Sequence, residues 1–182
     1  MDKLNEKTLS SKKIYEGKII NVRLDRVHLP DGKEGCREVV ELGGAVAIVP
    51  LCRDEIYFVR QYRTPVEKTL LEIPAGRLEP GEKPEECAKR ELAEEIGFGP
   101  SQLQQLAFFY SSPGFSNETL YLYLAQGLIY QPVPKEEGEF LQVEKMPFSE
   151  AMDKLSRGEI EDGKTIAGLL MAWRYLKTTS KR

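Results

Sequence analysis

Histidine is almost absent from this 182-residue chain: His28 is the only one. There are three cysteines, Cys36, Cys52 and Cys87. They are odd in number and show no CxxC or Cys/His spacing, which argues against a disulfide framework and against zinc. They read as reduced thiols of a cytoplasmic protein. His28 sits in a strand-like run and reads as a structural or surface residue. No run of about 20 apolar residues is present, so no membrane-spanning helix is expected. The opening MDKLNEKTLSSKK lacks the apolar stretch of a signal peptide. A strong charge of either sign is missing too: 26 Lys and Arg stand against 29 Asp and Glu, a net charge of −3. That gives no general attraction to nucleic acid or to membranes. Lys177, Lys181 and Arg182 read as a solubilising end. With 41% hydrophobic and 30% charged residues, what remains is an ordinary globular domain with a small appendage.

Glutamate is concentrated in one stretch. Residues Gly76 to Phe98, GRLEPGEKPEECAKRELAEEIGF, hold seven: Glu79, Glu82, Glu85, Glu86, Glu91, Glu94 and Glu95. The second half reads as a helix. Pro84 suits the first turn, where its missing N–H costs nothing, and Gly97 suits the left-handed C-terminal position. Ala88, Leu92 and Ile96 repeat every four residues as a narrow apolar stripe. At roughly 100° per residue, Glu91 and Glu95 project about 40° apart and Glu94 about 60° beyond Glu91. Like charges four apart destabilise a helix by about 0.2–0.5 kcal/mol, and Glu94 and Glu95 add negative charge to the negative end of the helix dipole. A hard divalent cation removes this conflict, because Mg²⁺ prefers carboxylate oxygens and water.

The spacing from Gly76 over five residues to Glu82, then over seven to Arg90-Glu91-Leu92-Ala93-Glu94-Glu95-Ile96-Gly97-Phe98, resembles the Nudix box, G-x5-E-x7-R-E-U-x-E-E-x-G-U. Every fixed position is present. Features outside the box are similar to the ADP-ribose pyrophosphatase subgroup: Pro113, 16 residues after Gly97, and Val59-Arg60-Gln61-Tyr62-Arg63 followed by Leu71-Glu72-Ile73-Pro74-Ala75-Gly76.

Along the chain, residues 1–11 are polar and expected to lack order at the start. Lys13 to Leu42 alternates as strands around a Pro30-Asp31-Gly32 turn, an antiparallel meander too small to bury its own apolar face. Gly43-Gly44 marks the domain boundary, giving an N-terminal meander over 1–43 and a second domain over 44–182. Ala45–Leu51 reads as a strand buried on both faces, paired with Glu55–Arg63 through Cys52-Arg53-Asp54. Thr69–Ile73, Leu103–Tyr110, Thr119–Ala125 and Phe140–Met146 are further strands. Helices are expected over Ser149–Leu155 and Asp162–Leu176, the latter with Ile166, Leu169, Leu170, Trp173 and Leu176 facing the core. This mixture predicts an α/β sandwich. The resemblance likewise implies the α+β Nudix fold, a mixed β-sheet flanked by helices, with the antiparallel meander exchanging contacts between two subunits of a homodimer.

The resemblance implies Mg²⁺-dependent hydrolysis of ADP-ribose to AMP and ribose 5-phosphate, with Mn²⁺ as a possible substitute. The alternatives are another ADP-sugar or nucleoside diphosphate derivative as substrate, or a noncatalytic nucleotide sensor on the same fold. It implies Glu91 and Glu95 as metal ligands, Glu94 as a further candidate, and Glu82 as a supporting group or a site for an additional ion. The Ala75 carbonyl would complete the shell, and Arg90 would orient a glutamate. Arg37 and Arg63 are expected to hold a phosphate or stack on adenine. Phe115 is expected to line the pocket or simply pack, and Glu118 to hold ribose hydroxyls. The general base is expected in the acidic loop before a late strand, at Glu139 with Glu137 in reserve.

Overall fold

The computed structural model describes residues 4–134, 138 and 140–179. The chain divides into two compact units, Met1–Gly44 with Phe109–Thr119, and Ala45–Phe108 with Leu120–Arg182.

The first unit is built on three antiparallel strands, β1 (Lys7–Glu16), β2 (Asn21–His28) and β3 (Glu34–Glu41), in that spatial order. Gly32, at φ 88°, turns the chain between β2 and β3. The strand β1 begins at Lys7, inside the stretch expected to lack order. All ten of its residues are exposed, so its ladder with β2, running from Lys7↔His28 to Glu16↔Asn21, owes nothing to apolar alternation. Among the described residues of the meander only Asp25 and Val27 are buried. The unit is completed by the 109–119 segment: the Val40 N–H donates to the Phe115 carbonyl (2.8 Å), and the Leu42 N–H to the Asn117 side chain (2.8 Å).

The second unit is built on β4 (Gly44–Cys52), β5 (Glu55–Arg63), β6 (Lys68–Glu72), β7 (Ala75–Arg77), α1 (Pro84–Ile96), β8 (Phe98–Tyr110), β9 (Thr119–Tyr130), β10 (Leu141–Pro147), α2 (Phe148–Ser156) and α3 (Gly163–Thr179), with the end residues Gly44, Phe109, Tyr110 and Thr119 counted in the first unit. Its sheet runs β10-β5-β4-β9-β8, with β6 on β5 and β7 on β4. Ala45 to Leu51 is buried throughout, as a central strand covered on both faces requires. Alternation along β4 divides its side chains between two layers. Val46 and Ile48 join Val59, Tyr123 and Ala125 beneath Cys87, Ala88, Leu92 and Ile96 of α1. Val49 turns the other way, towards α3, where a Cβ on Gly168 would lie 3.1 Å from Val49 Cγ2 and 3.4 Å from Leu122 Cδ1. The result is a mixed sheet between helices, the expected fold class.

Two expectations need correction. The buried face of α3 is Thr165, Gly168, Leu169 and Ala172, not a stripe through Trp173. Close approach of helix to sheet calls for small residues, so Leu170 (47% exposed) and Trp173 (41%) are turned outward. The Lys177 ammonium lies 4.0 Å from the Trp173 ring centroid, a cation–π contact at the surface. The strand β8 starts at Phe98 rather than Leu103, its first half masked by Ser101, Gln102, Gln104 and Gln105. Among the described residues, no helix is long and apolar enough to cross a membrane.

Candidate active site

The box stretch forms loop, β7, loop and α1. Pro84 opens the helix and Gly97, at φ 78°, closes it in the left-handed region, its N–H returning to the Ala93 carbonyl (3.1 Å). These ends fix which faces Arg90, Glu91, Glu94 and Glu95 present.

Arg90 gathers the acidic groups. Its Nε and Nη2 donate to the two oxygens of Glu82 (2.9 and 3.0 Å). Nη1 donates to Glu91 Oε1 (2.7 Å) and Glu94 Oε2 (3.0 Å), and Nη2 also reaches the Arg77 carbonyl (3.1 Å). With a further contact from Nη2 to Cys87 Sγ (3.3 Å), every nitrogen of the guanidinium and so each of its donor directions is engaged. The Glu82 hydrogen bonds, against the cost of partial burial, raise the Arg90 pKa. The same bonds hold the Glu82 carboxyl down at about 2. Glu82 also fixes its own loop, accepting from the Glu79 N–H (3.0 Å).

Strand β7 meets the other carboxylates. Glu91 and Glu95 are 8% and 2% exposed. Glu95 Oε2 accepts from the Ala75 N–H (3.2 Å), so the tie from Ala75 to the helix runs through its amide. A Cβ on Gly76 would overlap the Glu91 carboxylate; at this position the strand leaves room for the side chain only as glycine. Cys87 lies on the buried face of α1, and burial pushes its thiol up to about 12.

A hard divalent cation takes oxygen ligands, and this set consists of carboxylate and carbonyl oxygens with no nitrogen or sulfur ligand required. The donor chemistry therefore fits such an ion. Among the described residues, no three His, Cys, Asp or Glu side chains converge on one ion position; Arg90 and the Ala75 amide hold the carboxylates instead.

A second polar cluster joins Arg63, the last residue of β5, to Glu72, the last residue of β6. Glu72, 1% exposed, accepts from Arg63 Nε and Nη2 (both 2.7 Å) and from the Lys164 ammonium. Burial pushes the Glu72 carboxyl up, but Arg63 and Lys164 outweigh it and hold it below its ordinary value. Asp162 caps α3, accepting from the Thr165 N–H (2.9 Å) and hydroxyl (2.6 Å). The Thr165 oxygen in turn accepts from the Ile73 N–H (2.9 Å). Sequence reasoning quoted Glu72 within the Leu71–Gly76 motif and Asp162 as a helix start, but gave neither of them, nor Lys164 or Thr165, a role in the site. The one available signal was a glutamate inside the apolar run TLLEI.

Arg37, Phe115 and Glu118 belong to the first unit. Arg37 is exposed and ion-paired with Glu6, its Nε 2.9 Å from Oε2. Phe115 is 58% exposed, and Glu118 accepts from the Ser111 hydroxyl. Glu137 and Glu139 lie outside the described residues.

Comparison with known proteins agrees with this architecture. Residues 41–169 match the family model described as the NUDIX domain, and residues 6–40 match the nucleoside diphosphate sugar hydrolase N-terminal domain. The chain belongs to the Nudix family. Among its relatives is an ADP-ribose pyrophosphatase of Bacillus subtilis, 40% identical, covering 91% of each chain. A methanol dehydrogenase activator of Bacillus methanolicus is 39% identical over 94% of this chain and 92% of its own. The crystal structure of an ADP compounds hydrolase superposes with a TM-score of 0.89 at 25% identity, covering 98% of both chains.

Proposed function

We propose that this protein hydrolyses the pyrophosphate bond of ADP-ribose, yielding AMP and ribose 5-phosphate, with Mg²⁺ as its cation and Mn²⁺ as a substitute. The observation that carries the reading is the arrangement of Glu82, Glu91 and Glu94 on a donor-saturated Arg90, with Glu91 seated over Gly76 and Glu95 on Ala75. Similarity to the Bacillus subtilis ADP-ribose pyrophosphatase along nearly the whole chain supports the substrate.

Glu91, Glu95 and Glu94 would hold the cation with the Ala75 carbonyl, and Glu82 acts mainly by fixing Arg90. A bound divalent cation supplies charge neutralisation at the pyrophosphate and lowers the pKa of water. In the reaction, a water oxygen bonds to one phosphorus as the bridging P–O bond breaks, and the departing phosphate takes the bond's electrons. Glu139, or Glu137, takes the water's proton. With all its donors engaged, Arg90 positions carboxylates rather than touching substrate. Arg63 binds a phosphate. Arg37, Phe115 and Glu118 are assigned to the remainder of the nucleotide and the terminal ribose. Residues 1–43 serve a homodimer and 44–182 the hydrolase domain, in a cytoplasmic enzyme without nucleic-acid or membrane partners.

A second reading, another ADP-sugar or nucleoside diphosphate derivative, is favoured by the likeness to an ADP compounds hydrolase. The test is a panel of ADP-ribose, ADP-glucose, NADH, diadenosine polyphosphates and nucleoside triphosphates with Mg²⁺, products being separated by chromatography. AMP release is expected to be fastest from ADP-ribose and to vanish in Glu95→Gln. Preference for another compound overturns the substrate. Tight nucleotide binding without any turnover overturns the enzyme in favour of a sensor.

A further inference from the structure

Arg63 is held in an unusual way for a surface arginine. Its Nε–Nη2 edge meets both oxygens of Glu72, and that carboxylate is almost completely buried while the Arg63 side chain remains 41% exposed. A fork engaged through that edge turns Nη1 away from its partner. A buried carboxylate with a single half-exposed partner would be costly, and Lys164 supplies the second positive charge. Lys164 is itself set by Asp162 Oδ1 at 3.0 Å, on the residue that caps α3. The first turn of α3 thus grips two successive residues of the chain: Glu72 through Lys164, and Ile73 through Thr165. Two residues further on come Ala75 and Gly76, which seat Glu95 and Glu91.

We propose that Glu72 and Lys164 are positioning residues that lock the Arg63 guanidinium with its outer edge presented to a phosphate of the substrate. An unanchored arginine loses rotamer freedom each time it binds an anion, whereas one fixed beforehand has already lost it. Glu72 and Lys164 therefore act on substrate affinity through Arg63. This rests on the proposed pyrophosphatase reading, in which Arg63 binds phosphate.

The test is a cycle of Glu72→Gln, Arg63→Ala and the double variant, with Lys164→Met and Lys164→Arg, by steady-state kinetics on whichever panel compound the wild type turns over. If it turns over none, nucleotide affinity is measured by calorimetry. Glu72→Gln is expected to raise KM about ten- to hundredfold, the scale of a lost charged hydrogen bond, with kcat within about threefold. It adds no further change once Arg63 is alanine. Lys164→Met moves KM in the same direction by a smaller factor, and Lys164→Arg restores it, which keeps the test open if Glu72→Gln does not fold. Lowered melting temperatures with unchanged KM, or KM effects that multiply in the double variant, would overturn the proposal. Failure on ADP-ribose alone overturns only the substrate assignment.

Discussion

Gly76→Ala separates the seat of Glu91 from the fold around it. Gly76 is not among the glycines at positive φ, so alanine finds its backbone conformation open. The added Cβ would overlap the Glu91 carboxylate, whose three terminal atoms are its nearest neighbours. The obstruction is the far end of a flexible side chain, so the side chain yields rather than the strand. To reach ordinary contact, near 4 Å between heavy atoms, the carboxylate must move by on the order of 1 Å or more. The movement puts at risk the 2.7 Å bond from Arg90 Nη1, a loss of about 1–2 kcal/mol in a part-buried setting. For a chain of this size that lowers Tm by roughly 2–8 °C.

The effect on activity is expected to be far larger, because misplacing a reacting or ligand group by about 1 Å costs on the order of a hundredfold in rate. Gly43→Ala is the control, since a Cβ there meets nothing within 4 Å and its φ is not positive. The assay is AMP release at saturating ADP-ribose and Mg²⁺, beside circular dichroism and thermal melting. Retention of more than about a third of wild-type kcat would refute the reasoning, by showing that the Glu91 position is not critical. A variant that fails to fold would refute it equally, since the backbone and not the side chain would then have yielded.

Two other perturbations test the same site. Arg90→Lys keeps the charge but replaces five fixed donors by three on one nitrogen; kcat is expected to fall about ten- to hundredfold with KM within roughly threefold, and kcat preserved within twofold counts against the positioning role. Glu82→Gln tests linkage. The folded carboxyl, at about 2, lies below its ordinary 4.5, so its contribution is present above pH 4.5 and lost as pH falls towards 2. At neutral pH it amounts to at most about 3 kcal/mol. Urea unfolding should show the gap between wild type and Glu82→Gln closing over that interval, and a gap that is constant with pH would contradict the assignment.

The helix α1 was legible because its signals are local: a proline and a glycine at the ends, an apolar stripe every four residues, and carboxylates at spacings a helix puts together. The strand β4 was legible as an unbroken apolar run. By contrast, β1 is held by backbone bonds to β2 and shows water all ten side chains, so no hydrophobic pattern betrays it. The α3 face was misjudged because, apart from the expected Leu169, its buried residues are the small Thr165, Gly168 and Ala172, with Gly168 against Ile73, Val49 and Leu122. Within the site, the box spacing located the acidic residues but not what each one touches. Glu72 was named in its motif but given no role, because its partners come from 9 and 92 residues away. A buried carboxylate makes sense only when such distant cations are known.

Magnitudes explain how α1 tolerates its own acidic end. It has no basic residue in its last turn, where Glu94 and Glu95 face the negative pole of the dipole at about 0.3–1 kcal/mol each. The like-charge pair Glu91 and Glu95 adds about 0.2–0.5 kcal/mol. Against this, full burial of Leu92 and near-complete burial of Ile96 are worth about 1.5–3 kcal/mol apiece, before Arg90 or the Ala75 amide is considered. The apolar stripe alone therefore outweighs the electrostatic penalty, and the stable fold does not need the carboxylates to be placed well for stability. Their crowding beside β7 is then free to follow chemistry. That is why Glu91, Glu94 and Glu95 can crowd onto one helix, whose buried apolar face holds them without help from their own charges.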